Sequence, residues 1–137
     1  MSARTKARKR ALDLLFEAEA RGVNVADLLS ERLARPVTEA PLNPYTATLV
    51  SGVVAHWRDI NELLDTYSQG WPVARMPAVD RAILRIGAFE VLYAVDLPEA
   101  VAISEAVALA TALSTDDSPK FVNGLLGRLA QVKPTLA

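Results

Sequence analysis

Between residues 78 and 95 the apolar side chains Val79, Ile83, Leu84, Ile86, Ala88, Phe89, Val91, Leu92 and Tyr93 face nearly every direction of a helical wheel. A helix that is apolar all round has to be enclosed by other elements. The neighbours on offer are also helices. Ala7, Ala11, Leu14, Leu15 and Ala18 form a stripe at helical spacing, predicting a first helix from about Thr5 to Ala20 that ends at Gly22. Asn24 can cap a second, with Val25, Leu28, Leu29 and Leu33 on one side and Pro36 as its stop. Residues 35 to 42, with Pro36 and Pro41, read as a loop. Asn43-Pro44 starts a third helix, since proline at the first helical position loses no hydrogen bond there. Its pattern runs unbroken through Leu49, Val53, His56, Trp57, Ile60, Leu63, Leu64 and Tyr67 to Gly70-Trp71-Pro72. Pro98 opens another helix through Val101, Ile103, Val107, Leu109 and Leu113, and Ser118-Pro119 opens the last. Alternating strand-like segments and Asn-Gly or Asp-Gly hairpin turns are absent. The expected fold is all-α, a bundle of six to seven helices in a single domain over residues 1–137.

With 51% hydrophobic and 23% charged residues, the sequence lacks the signature of disorder. No cysteine is present, which removes disulfides, thiolate metal ligands and cysteine nucleophiles. No window approaches the roughly 20 apolar residues of a membrane span. The expected compartment is cytoplasmic, with no membrane partner. The net charge of −1 conceals an asymmetry, because Arg4, Lys6, Arg8, Lys9 and Arg10 are five of the 15 basic residues. The rest of the chain carries 10 basic against 16 acidic side chains. A basic arm at 1–10 on an acidic body suits a polyanion, whose released counterions add to affinity. It equally suits a solubilising helix terminus.

Candidates for catalysis are few. His56 is the single histidine, lies mid-helix and has no nucleophile motif beside it. Neither a phosphate-cradling glycine loop nor His-Glu-x-x-His metal spacing occurs. Catalytic residues, metal ligands and cofactors are therefore all expected to be none. Glu90 falls on the buried face of the most apolar helix, where a carboxylate needs a partner, and reads as a structural tether. Asp116-Asp117 favours the positive end of the last helix. Gly124 and Gly127, inside that helix, read as close-packing positions. Two features suggest binding surfaces. Leu12 and Phe16 lie off the main stripe of the first helix, either as a partner face or as a widened core stripe. Phe121 flanks the core stripe Val122, Leu125, Leu126 and Leu129 beside Lys120. It can pack in the core or stack a splayed base while the lysine meets phosphate.

Four linked blocks resemble the NusB family in order and spacing: Val79 to Ile86, Phe89 to Tyr93, Ser104 to Ala110, and Thr115 to Leu126 with its Phe-Val-Asn-Gly core. Gly70-Trp71 and the opening Arg8 to Glu17 fit as well. The resemblance implies two packed helical subdomains, no cofactor and no catalysis. It implies binding of boxA-type leader RNA together with NusE, a ribosomal small-subunit protein, and loading onto the RNA polymerase antitermination complex. It places RNA contacts on Arg4, Lys6, Arg8, Lys9 and Arg10 and on Asp117, Lys120 and Phe121, and NusE contacts on Phe16, Asp80 and Arg85. Phe16 replaces a tyrosine common in the family, Thr111-Ala112 replaces a frequent lysine, and Ser104 stands for asparagine. The alternatives are the related helical domain of ribosomal RNA cytosine methyltransferases, which needs a large cofactor domain downstream, and a helical scaffold or DNA-binding module. A homodimer stays open. The picture that follows is of an outward-facing basic arm and Phe121 forming one joint RNA strip.

Overall fold

Ser2, Asn24 and Asn43 start the first three helices by accepting backbone N–H groups that a helix's opening turn leaves unpaired: Ser2 from Thr5, Asn24 from Ala26 and Asp27, and Asn43 from Tyr45. In the computed structural model, which describes residues 2–38 and 40–136, these helices are α1 (Ala3–Arg21), α2 (Val25–Ala34) and α3 (Pro44–Ala55). They are followed by α4 (Trp57–Tyr67), α5 (Ala78–Tyr93), α6 (Glu99–Leu113) and α7 (Ser118–Val132), with short 3-10 turns at Val73–Arg75 and Lys133–Thr135. Met1 of the predicted arm, Glu39 of the predicted loop and Ala137 lie outside the described residues. Gly22 closes α1 with φ +66°, a left-handed conformation that glycine adopts without a Cβ penalty.

The long third helix predicted from Pro44 to Tyr67 is instead two helices. His56 breaks it, with φ −114° and ψ 23°, and its ring stacks on Tyr93 at 3.7 Å between centroids. Apolar spacing continues across the break, so the pattern alone does not reveal it. The start of α7 also differs in detail. Asp117 takes the N-cap position without a side-chain cap bond, and the Ser118 hydroxyl donates to Asp80 Oδ2 at 2.9 Å.

The helices form two packed groups, α1–α3 and α5–α7, with α4 against α5 and α7. Helix α5 belongs to both groups, since it also packs on α1 and α3. Its residues Ala82 through Ala88 are all buried, which meets the requirement set by its all-round apolar surface. Two glycines permit this crowding: a Cβ on Gly52 of α3 would overlap the Phe89 ring, and one on Gly87 would come within 2.6 Å of Leu126. The glycines expected to serve close packing do not. Nothing lies within 4 Å of a Cβ on Gly127, and Gly124 would meet only Arg128, at 3.4 Å. Among the described residues no helix is long and apolar enough to cross a membrane.

Candidate nucleic-acid interface

Helix α1 runs antiparallel to α5. Arg8 near its start meets Glu90 near the end of α5, and Glu19 near its end meets Arg81 near the start of α5. The first turn of α1 contains no acidic residue, while Arg4, Lys6, Lys9 and Arg10 crowd its opening turns. Cations at the positive end of a helix dipole oppose folding slightly, so their placement favours an incoming anion over the isolated helix.

Arg8 departs from the predicted outward-facing arm. It is 2% exposed, and its Nε and Nη2 donate to both Glu90 oxygens at 2.8 to 3.1 Å, while Nη1 lies 3.4 Å from Glu105. Position 8 shares a helical face with Leu12 and Leu15, both buried, so Arg8 is carried into the core with them. Burial pulls the Arg8 pKa down, but the hydrogen bonds and charge of Glu90 outweigh it, and the net shift is upward. Tyr45 donates its hydroxyl to the same Glu90, and its own pKa is pushed up to about 12 by burial and by that carboxylate. The remaining arm residues reach the surface in different states. Arg4 lies over the Tyr45 ring at 4.4 Å, Lys9 and Arg10 both reach Asp13, and Lys6 is exposed.

The start of α7 builds a second patch. Asp117, Lys120, Phe121, Gly124 and Arg128 recur at helical spacing and line one groove of about 690 Å³ with Ser68, Gln69, Trp71 and Asn123. Phe121 is half-buried and meets Trp71 edge to face, 4.6 Å between centroids. It therefore both packs on the core and lines the groove. The other wall is the bend after α4, where Gln69 and Gly70 take left-handed φ of +57° and +91°. Val73 N–H bonding to Asp65 holds that bend at 2.8 Å, and Arg128 Nε binds the Tyr67 carbonyl at 2.8 Å. Trp71, Gln69 and Arg128 were missed as site residues. The spacing from Phe121 through Gly124 to Arg128 carries a signal for the last, whereas the bend has none.

These patches do not form one strip. Asp80, beside Ser118, and Glu90, beside Arg8, are ten residues apart on α5, which separates the basic end from the groove by about 15 Å along its axis.

The residues expected to face a protein partner are also divided. Phe16 is 40% exposed, and Leu12 beside it is buried, which makes Leu12 part of a widened core stripe. Asp80 is fully buried and accepts hydrogen bonds from Ser114 and Ser118, so it holds the α6–α7 connection and is corrected from the expected partner contact. Arg85 is 9% exposed, bonds Glu19 at 3.2 Å and Asn61 at 3.0 Å, and lies over exposed Trp57 at 4.3 Å. Its guanidinium is engaged internally, and burial pulls its pKa down against the raising effect of Glu19. Among the described residues, no group of three or more His, Cys, Asp or Glu is placed to hold a metal ion.

Comparison with known proteins gives the patches a context. A protein of Arthrobacter sp. (strain FB24) named transcription antitermination protein NusB is 61% identical over 136 residues, covering 99% of this chain and 98% of that protein. One of the same name from Beutenbergia cavernae is 58% identical, covering 99% and 94%. The solved NusB of T. maritima superposes with a TM-score of 0.82 at 29% identity, over 96% of this chain and 92% of that one. A chain in a crystal structure of the antitermination factors NusB and NusE in complex with dsRNA has a TM-score of 0.81 at 24% identity, covering 96% of this chain and 98% of that one, a likeness that bears on the fold alone. The sequence model of the NusB family matches residues 5–131, and with relatives this similar along nearly its whole length, the chain belongs to the NusB family.

Proposed function

We propose that this protein is a transcription antitermination factor, a single-domain, non-catalytic adaptor in the cytoplasm that binds boxA-type single-stranded RNA together with NusE on the elongating RNA polymerase. The observation that carries the RNA part is the crowding of Arg4, Lys6, Lys9 and Arg10 at the positive end of α1, with no acidic residue in its first turn. Both the side chains and the unpaired N–H groups there favour phosphate. The groove at the start of α7 adds what a phosphate patch lacks. Phe121 and Trp71 offer aromatic surface for an unstacked base, and Lys120 stands at the rim for the backbone. Asp117 and Asn123 line the same groove and would hydrogen-bond base edges. A flexible single strand would span the roughly 15 Å between the two patches across the surface that encloses α5. For NusE, the exposed Phe16 and the exposed Trp57, over whose ring Arg85 lies, are the apolar side chains of choice.

The test is a titration of boxA-type RNA with and without NusE at several salt concentrations. With Arg8 withdrawn, four arm cations can each meet a phosphate, which limits their part of the log-log salt slope to about −2.8 for a single strand. RNA binding that is insensitive to salt, or unaffected when Lys6 and Arg10 are replaced by alanine, would remove the RNA reading. Absence of any heat on mixing with NusE would remove the partner.

A further inference from the structure

We propose that Glu90 is a positioning residue for RNA binding. By holding Arg8, with help from Tyr45 and Glu105, it sets the direction in which the cations of α1 face the RNA. The proposal rests on the RNA reading above and assigns a role to an acidic residue that does not touch the nucleic acid.

The opening of α1 is tied to three helices within four residues. Thr5 Oγ1 donates to Glu105 of α6 at 2.9 Å, the Ala7 carbonyl accepts from Thr46 Oγ1 of α3 at 3.0 Å, and Arg8 forks onto Glu90 of α5. Arg4 rests on the ring of Tyr45, whose hydroxyl donates to Glu90, so the first exposed cation is seated on the same network. The end of a helix frays unless something holds it, and here the first turn also carries cations against its dipole. The network supplies that restraint. Arg8 suits the role because its planar fork fixes an orientation relative to a carboxylate, which the point charge of lysine does not. A cationic surface held in place before RNA arrives loses less freedom on binding than a frayed one.

Charge and positioning predict opposite signs for one variant. Replacing Glu90 by glutamine removes a negative charge from the neighbourhood of a polyanion site, which by Coulomb's law alone tightens RNA binding. If Glu90 positions the arm, the same change weakens it. The experiment is a salt titration of boxA-type RNA with the full-length wild type, Glu90→Gln, Arg8→Lys and Tyr45→Phe. It is run at a temperature where circular dichroism shows each protein folded and is paired with amide hydrogen exchange of residues 3–10 in the free proteins. Glu90→Gln and Arg8→Lys are expected to bind about tenfold more weakly, with faster exchange in the first turns of α1. Tyr45→Phe keeps the ring under Arg4 and loses only the hydroxyl bond. It guards against a Glu90 variant that does not fold and is expected to bind roughly twofold more weakly.

Tighter or unchanged binding by folded Glu90→Gln overturns the proposal, as does full affinity in Arg8→Lys, which would show that the planar fork on Glu90 does not direct the arm. If Glu90→Gln does not fold, unchanged binding by Tyr45→Phe overturns it. Unchanged exchange in the first turns of α1 overturns it too. If the wild type shows no salt-dependent RNA binding, the RNA reading itself fails and the proposal with it. That outcome is separate from one in which only the variants behave as wild type.

Discussion

The two ends of α5 reach a binding surface by opposite routes. At its C-terminal end the chain brings five cations, and packing takes Arg8 inward and pairs Lys9 and Arg10 with Asp13. At its N-terminal end the groove has only the cations Lys120 and Arg128, and packing makes it from the bend at Ser68–Trp71 and one face of α7. The first surface is written as charge and edited by burial. The second is made by shape. A count of basic residues therefore overstates the first and overlooks the second.

The largest difference between the two ends should appear at Glu90. Glu90→Ala leaves the Arg8 cation buried without its main partner and should cost about 3–5 kcal/mol in urea unfolding, whereas Lys6→Ala, two residues from Arg8, should stay within about 0.5 kcal/mol. Equal effects would mean that the inward and outward cations are not energetically distinct. At the other end, Asp80→Ala removes the carboxylate that accepts from Ser114 and Ser118, leaving those hydroxyls only each other and Thr115, and should cost about 1–3 kcal/mol, with faster hydrogen exchange at the start of α7 but not of α1. If exchange rises equally at both ends, they are not separate units.

Phe121→Ala should weaken RNA binding by about 1–3 kcal/mol if the ring stacks a base, and lower the melting temperature only modestly because the ring is half-buried. A large drop in melting temperature with normal RNA affinity would reduce Phe121 to a packing residue. The smallest effect is acid sensitivity. Glu17, through its hydrogen bonds to Arg32 and Arg21, and Glu19, through Arg81 and then Arg85, hold their carboxyl groups below the usual value of 4.5. A carboxylate with a depressed folded pKa contributes stability above its unfolded pKa and loses it as pH falls through the folded one. The urea midpoint should thus decline as the pH is lowered from about 4.5, and Glu19→Gln should flatten that decline. A midpoint that rises on acidification would contradict the sign.

Much of the helical layout is legible in the sequence, because caps and apolar spacing act within a few residues. Asn24, Asn43-Pro44 and Gly22 mark boundaries where the structure has them. The break at His56 escaped because apolar spacing runs through it. Gly124 and Gly127 were assigned to close packing, yet the close approaches occur at Gly52 and Gly87, since helix spacing cannot tell which face meets a neighbour. The inward turn of Arg8 had a signal in its register with Leu12 and Leu15, but that register competes with the strong prior that a run of cations faces water.

Taken alone, the sequence determined the all-helical architecture, the central place of α5 and the family motifs, because local periodicity and short-range capping encode them. Tertiary structure decided which charged side chains remain outside. Arg8 and Glu90 are 82 positions apart, and burying such a pair depends on two helices meeting in register, a non-local event that no window of neighbouring residues records.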